Sequence, residues 1–133
     1  LSRGLGDVYK RQIYNTWPMM GSNFFPDDNN FFNLLSFSAF NDPSLVQFMH
    51  RNLAYVIILI YLFIFFNVYR AKIEKLYRSI NLIGLFLIIQ VILGILTLLY
   101  GAQIYLASMH QISSIFLVSS CVYFLFLNKQ SSS

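Results

Sequence analysis

The sequence predicts an all-α integral membrane protein, a helical bundle with three transmembrane helices. Two observations carry this. Mean hydropathy is +0.61, and 57% of the 133 residues are hydrophobic against 11% charged, outside the usual balance of a water-soluble domain. The charges also fall between long apolar runs rather than along them. Asn52 to Tyr69, "NLAYVIILIYLFIFFNVY", is uncharged over about 18 residues, close to the roughly 20 that a helix needs to cross a hydrocarbon core. Ile80 to Tyr100 is the second uncharged run, and His110 to Leu127 the third, more polar at its start. An aromatic share of 18% suits lipid-facing and interfacial side chains.

Orientation follows from the basic residues. Of nine Lys and Arg, Arg70, Lys72, Lys75 and Arg78 cluster in "RAKIEKLYR", the link between the first two runs. Such a link is expected on the cytoplasmic side of a cell inner membrane. Residues 13–49 and the "GAQIYLAS" turn, Gly101 to Ser108, are then expected outside, with a cytoplasmic tail over 129–133. The transmembrane region is expected to cover 50–128. Residues 1–12, "LSRGLGDVYKRQ", match nothing in this scheme and are set apart as foreign to it. The chain begins at Leu1 rather than Met and is expected to be a fragment. The net charge of +4 is topological; no continuous basic face with stacking aromatics is present, so no nucleic-acid partner is expected. Cys121, the single cysteine, lies within the third run and reads as a small core residue.

His50 and His110 are the only histidines, and each stands at the outer end of an apolar run. The first and third helices run in the same direction, so both imidazoles arrive at one membrane depth. Ser113 and Ser114 share the face of His110, and Ala54 that of His50. On the middle helix Gln90, Gly94, Thr97 and Gly101 form a stripe of small and polar residues, a pattern that faces protein or a ligand rather than lipid. Helix packing alone also produces such stripes. Two histidines at one depth beside it point to a flat ligand between them, and haem iron takes imidazole on both faces. Zinc wants three or four protein ligands, and no further His or Cys lies near. Met49 and Met109 are alternative axial ligands or packing residues. Arg51 is placed to pair with a haem propionate or to snorkel to headgroups. The five acids, Asp7, Asp27, Asp28, Asp42 and Glu74, all lie outside the runs, so no intramembrane carboxylate is available to a proton pump.

Three segments, "YNTWPMMGSNFFPDD", "DPSLVQFMHRNLAY" and "QVILGILTLLYGAQIYLASMHQISSIFLVSS", together resemble the C-terminal half of the heme A synthase family, oxidase-assembly membrane enzymes that convert heme O to heme A. The resemblance runs from about Ile13 to Asn128. It implies an eight-helix protein of two similar halves, with the last three helices here. It also implies a heme b cofactor held by His50 and His110 as axial ligands, with Arg51 beside it. The catalytic groups and the heme O site belong to the other half by this resemblance, so the fragment alone is expected to be inactive. The implied reaction oxidises a methyl group of heme O to a formyl group, with electrons leaving through the bound haem. The lipid bilayer and the enzyme that makes heme O are the implied partners. Family members often carry a polar residue where Met49 stands. A bis-histidine electron-transfer protein of cytochrome b type would share both histidines and is the alternative. "NTWPMMGSNFFPDD" is expected to cover the outer surface near His50, with Trp17, Phe24 and Phe25 at the interface, Asp27 and Asp28 in water, and Pro18 and Pro26 preventing helix.

Overall fold

The computed structural model describes residues 14–132. Its regular elements are all helical: two short 3₁₀ turns, Phe31–Leu35 and Phe37–Asn41, and three long helices, α1 (Pro43–Arg70), α2 (Glu74–Leu99) and α3 (Ile104–Ser132). The long helices are long and apolar enough to cross a membrane, which makes this a multi-pass membrane protein.

α1 and α3 overrun at both ends the apolar runs that predicted them, and α2 does so at its start. Asp42 caps α1, its carboxylate accepting the backbone N–H groups of Ser44 at 3.0 Å and Leu45 at 3.3 Å, and Pro43 fills the first helical position, where a missing N–H costs nothing. Residues 43–49, read as outer loop from the sequence, are therefore helical. At the other end of α1 the basic link shrinks to Ala71–Ile73, because α2 starts at Glu74 and carries Lys75 and Arg78 on its first turns. Likewise α3 starts at Ile104, inside the expected turn, and runs on through the expected tail. At 28, 26 and 29 residues the helices span about 42, 39 and 44 Å, against about 30 Å of hydrocarbon. Apolar length marks only the part of a helix that lipid covers, and the polar ends continue into the headgroup region.

α2 ends in a Schellman turn. The N–H of Ala102 donates to Thr97 O at 2.7 Å and that of Gly101 to Leu98 O at 3.2 Å. Gly101 has φ +69°, a conformation that glycine adopts without penalty.

The bundle is tightest at the end bearing the 71–73 link. Val68 of α1 and Leu76, Ile80 and Ile83 of α2 are buried there, with Tyr61, Ile64 and Phe65 of α1 and Leu117, Cys121, Phe124 and Leu127 of α3 packed around them. Tyr69 and Tyr77 stack across the hairpin with ring centroids 4.4 Å apart. Gly84 leaves room for Tyr61, whose hydroxyl sits where a β-carbon on Gly84 would be and donates to Ile80 O at 3.4 Å. α2 packs closely along α3, while α1 approaches α2 over a shorter stretch. Large apolar side chains such as Phe63, Ile88 and Ile115 remain exposed on the outer faces of the spans, where lipid would cover them.

The segment before α1 is ordered by its own bonds. Met20 is fully buried, and Phe24 and Phe25 pack edge-on against Phe48 of α1 at 5.8 and 5.0 Å. Gly21, at φ +76°, has Asp27 Oδ2 only 2.7 Å from where a β-carbon would stand. No larger residue fits that turn without strain.

Candidate functional site

Away from the link, at the opposite end of the bundle, the structure brings the two histidines together. The rings of His50 on α1 and His110 on α3 have centroids 6.2 Å apart and planes inclined by 75°. His50 is exposed and His110 half-buried. Two imidazoles bound on opposite sides of one metal, each by a bond of about 2 Å, have ring centres about 6 Å apart. The observed spacing matches that span.

The middle helix builds the wall beside them. Ser113, on the face of His110 one turn further along α3, donates its hydroxyl to Gln90 Oε1. That bond turns the Gln90 amide nitrogen toward His110, 3.3 Å from Nε2. With the Gln90 amide nitrogen as the donor, His110 Nε2 accepts and the ring proton sits on Nδ1. A metal held here would take the Nε2 lone pair in place of the amide. Nδ1 is buried with no hydrogen-bond partner among the described residues, which costs about 1–3 kcal/mol for an unsatisfied polar atom. Gly94 lies against the same ring: a β-carbon there would be 3.1 Å from His110 Cε1. The residues present therefore fit a group held between two imidazoles.

Only half of the predicted stripe serves this wall. Gln90 and Gly94 face His110. Thr97 instead returns its hydroxyl to Leu93 O at 2.7 Å on its own helix, and Gly101 makes the α2–α3 turn. Ser114 likewise bonds back to Gln111 O at 2.6 Å. A stripe read at helical spacing identifies a face, and the tilt of the neighbouring helix decides how many of its turns are in reach. Met109 is exposed. Among the described residues no cluster of three or more His, Cys, Asp or Glu stands together.

Arg51, on the same turn of α1 as His50, reaches into the preceding loop. Its guanidinium donates to four backbone carbonyls of the preceding loop: Thr16 at 2.8 Å and Tyr14 at 3.4 Å through one nitrogen, Met19 at 3.2 Å and Pro18 at 3.3 Å through the other. Its Nε is buried without a partner among the described residues. Gln47, a turn earlier on the same face, exchanges two bonds with Tyr14: it accepts the backbone N–H at 3.0 Å and donates to the carbonyl at 2.8 Å. Sequence reasoning missed Gln47. The signal was its spacing, three residues before His50 and four before Arg51.

The acids expected to face water are exposed, and they also cross-link the loop. Asp27 accepts from Asn23 Nδ2 at 2.5 Å and from the Ser22 hydroxyl and N–H, and these bonds hold its carboxyl below the usual range. Asp28 accepts from the Tyr14 phenol at 3.0 Å and from Ser44 at 3.1 Å. Partial burial and then Asp28 push that phenol up. At Asp42 partial burial acts upward, but bonds from Ser44, Asn29 and the α1 backbone outweigh it and leave the carboxyl low.

Three helices long and apolar enough to span a membrane, with a facing histidine pair beside a small-residue wall, define a class: multi-pass helical membrane proteins. Comparison with known proteins makes this specific. The model of the cytochrome oxidase assembly protein family matches residues 7–122, and the chain belongs to that family, the family of the heme A synthases. The match begins within the first twelve residues. Among curated relatives, the chain is 40% identical over 119 residues to the heme A synthase of Pelagibacter ubique (strain HTCC1062), covering 90% of this chain and 34% of that protein. It is 39% identical to that of Rickettsia bellii (strain OSU 85-389), over 90% and 35% of the two chains. With that of Wolbachia pipientis wMel it shares 38% identity over 91% and 33%. The chain thus spans about a third of the length of these relatives. No solved structure matches it.

Proposed function

We propose that this chain is the heme b-binding C-terminal portion of a heme A synthase, with His50 and His110 as the two axial ligands. The observation that carries it is the ring separation of 6.2 Å at 75°. The Gln90 amide paired with His110 Nε2 and the space left by Gly94 add to its support. When bound, the haem supplies one-electron redox chemistry. The chain's own residues orient it: α1 and α3 present the imidazoles, and α2 provides the wall and keeps water from one edge. In the whole protein the activity would be oxidation of the heme O methyl group to the formyl group of heme A. Catalytic groups and the heme O site would lie outside this chain, so the chain alone binds haem and turns nothing over. The histidine end faces outward across the inner membrane and the basic 70–78 segment faces the cytoplasm, by the positive-inside bias.

The test is a reduced-minus-oxidised visible spectrum of the chain in detergent with haem supplied, beside His50→Ala and His110→Ala. A sharp low-spin α band lost in both variants is expected. A band that survives either substitution overturns the ligand assignment.

A further inference from the structure

The segment before α1 does more than cap the bundle loosely. Gln47, His50 and Arg51 lie on one face of one turn of α1, and two of the three bind the backbone of residues 14–19. Together they make six hydrogen bonds to that segment: two between Gln47 and Tyr14, and four from Arg51 to the carbonyls of Tyr14, Thr16, Pro18 and Met19. The segment then reaches the other side of the bundle. Asn15 Nδ2 is 3.8 Å from where a β-carbon on Gly101 would stand, in the turn joining α2 to α3. Residues 14–19 therefore stay fastened to α1 around Arg51, and the Asn15 side chain reaches from there to the α2–α3 turn, at the end of the bundle that carries His50 and His110.

We infer that Gln47 and Arg51 form a clasp that fastens residues 14–19 as a strap over the histidine end of the bundle, with Arg51 a positioning residue acting through the strap rather than a ligand to a propionate. The choice of arginine fits this. Its planar fork presents several donors at fixed angles, enough to gather four carbonyls, which a lysine ammonium on a flexible stem does not do. No carboxylate neutralises the guanidinium: among the described residues its partners are carbonyl dipoles, so the bonds serve geometry rather than charge pairing. The rest of the strap is built to hold that shape. Thr16 donates to Met19 O at 2.8 Å and accepts from the Gly21 N–H at 3.1 Å, and the Tyr14 phenol accepts the Asp27 N–H at 3.1 Å. The role of the strap at a haem rests on the function proposed above; its attachment to α1 does not.

The chain carries its own probe. Trp17, the single tryptophan, sits between two of the carbonyls that Arg51 holds. Time-resolved fluorescence anisotropy of Trp17 is measured on the full chain in lipid nanodiscs without haem, for the parent, Gln47→Leu, Arg51→Gln and Arg51→Lys. The clasp predicts that the amplitude of nanosecond loop motion rises roughly twofold or more in all three variants, with unchanged helix content by circular dichroism. Parent-like motion in Gln47→Leu or in both Arg51 variants overturns it. The second arm adds haem and follows its reduction by dithionite, an aqueous anion. Gln47→Leu and Arg51→Gln are both expected to speed the reduction, because each opens the strap. A faster reduction or shifted spectrum in Arg51→Gln alone, with Trp17 motion unchanged, would mean that Arg51 serves the haem directly and the clasp is wrong. If the chain binds no haem, the function proposed above fails while the first arm still decides the clasp.

Discussion

Gly94 offers a sharper test of the site than removal of either ligand, because it changes only the wall. A β-carbon there would stand 3.1 Å from His110 Cε1, 3.6 Å from Nδ1 and 3.8 Å from Nε2. The first of these is tighter than ordinary carbon contact, so Gly94→Ala requires the ring to yield by a few tenths of an ångström, and Gly94→Leu requires it to leave. Two energies compete. Alanine raises helix propensity by about 1 kcal/mol over glycine, but that gain is common to the haem-free and haem-bound chains and cancels from the affinity. The steric cost does not cancel. A free imidazole can swing aside, whereas one fixed as a ligand cannot, so the bound state carries an overpacking cost of about 1–3 kcal/mol. At about 1.4 kcal/mol per tenfold, haem affinity should fall roughly 5- to 150-fold in Gly94→Ala, and the low-spin band should vanish in Gly94→Leu. The assay is haem titration followed at the α band, with helix content checked by circular dichroism. Parent affinity in Gly94→Leu would refute the wall as the structure draws it.

Two further outcomes follow from the packing and the loop. Gly84→Ala places a β-carbon on the Tyr61 hydroxyl, so the α1–α2 contact should weaken by about 1–3 kcal/mol in detergent unfolding, and adding Tyr61→Phe should recover part of the loss; no loss in the single variant would contradict the packing. Asp27 and Asp42 both have carboxyls held below their ordinary range by hydrogen bonds in the folded chain. Their contribution is therefore fully present above the unfolded value of about 3.9 and is lost as pH falls through the folded values. Trp17 anisotropy should stay constant from neutral pH down to about pH 4 and fall only below it, and a transition centred above pH 5 would refute the assignment.

What the sequence determined alone was the number of spans, their alternating direction and the shared depth of His50 and His110. Those depend on apolar length and on the distribution of Lys and Arg, which are properties of residues taken one at a time against a slab of hydrocarbon. The helix ends were less legible. The Asp42–Pro43 cap of α1 went unread, and the basic residues of 70–78 masked the start of α2, because charge at a helix end in the headgroup layer looks the same as charge in a loop. Tertiary structure decided the rest. Gln90 and Gly94 reach His110 while Thr97 does not, since helix tilt selects part of a stripe. Arg51 turns to the carbonyls of residues 14–19 because a segment more than thirty positions upstream folds back over it. No local pattern reports such a contact, and only the packed chain shows which partner an arginine with five donors has taken.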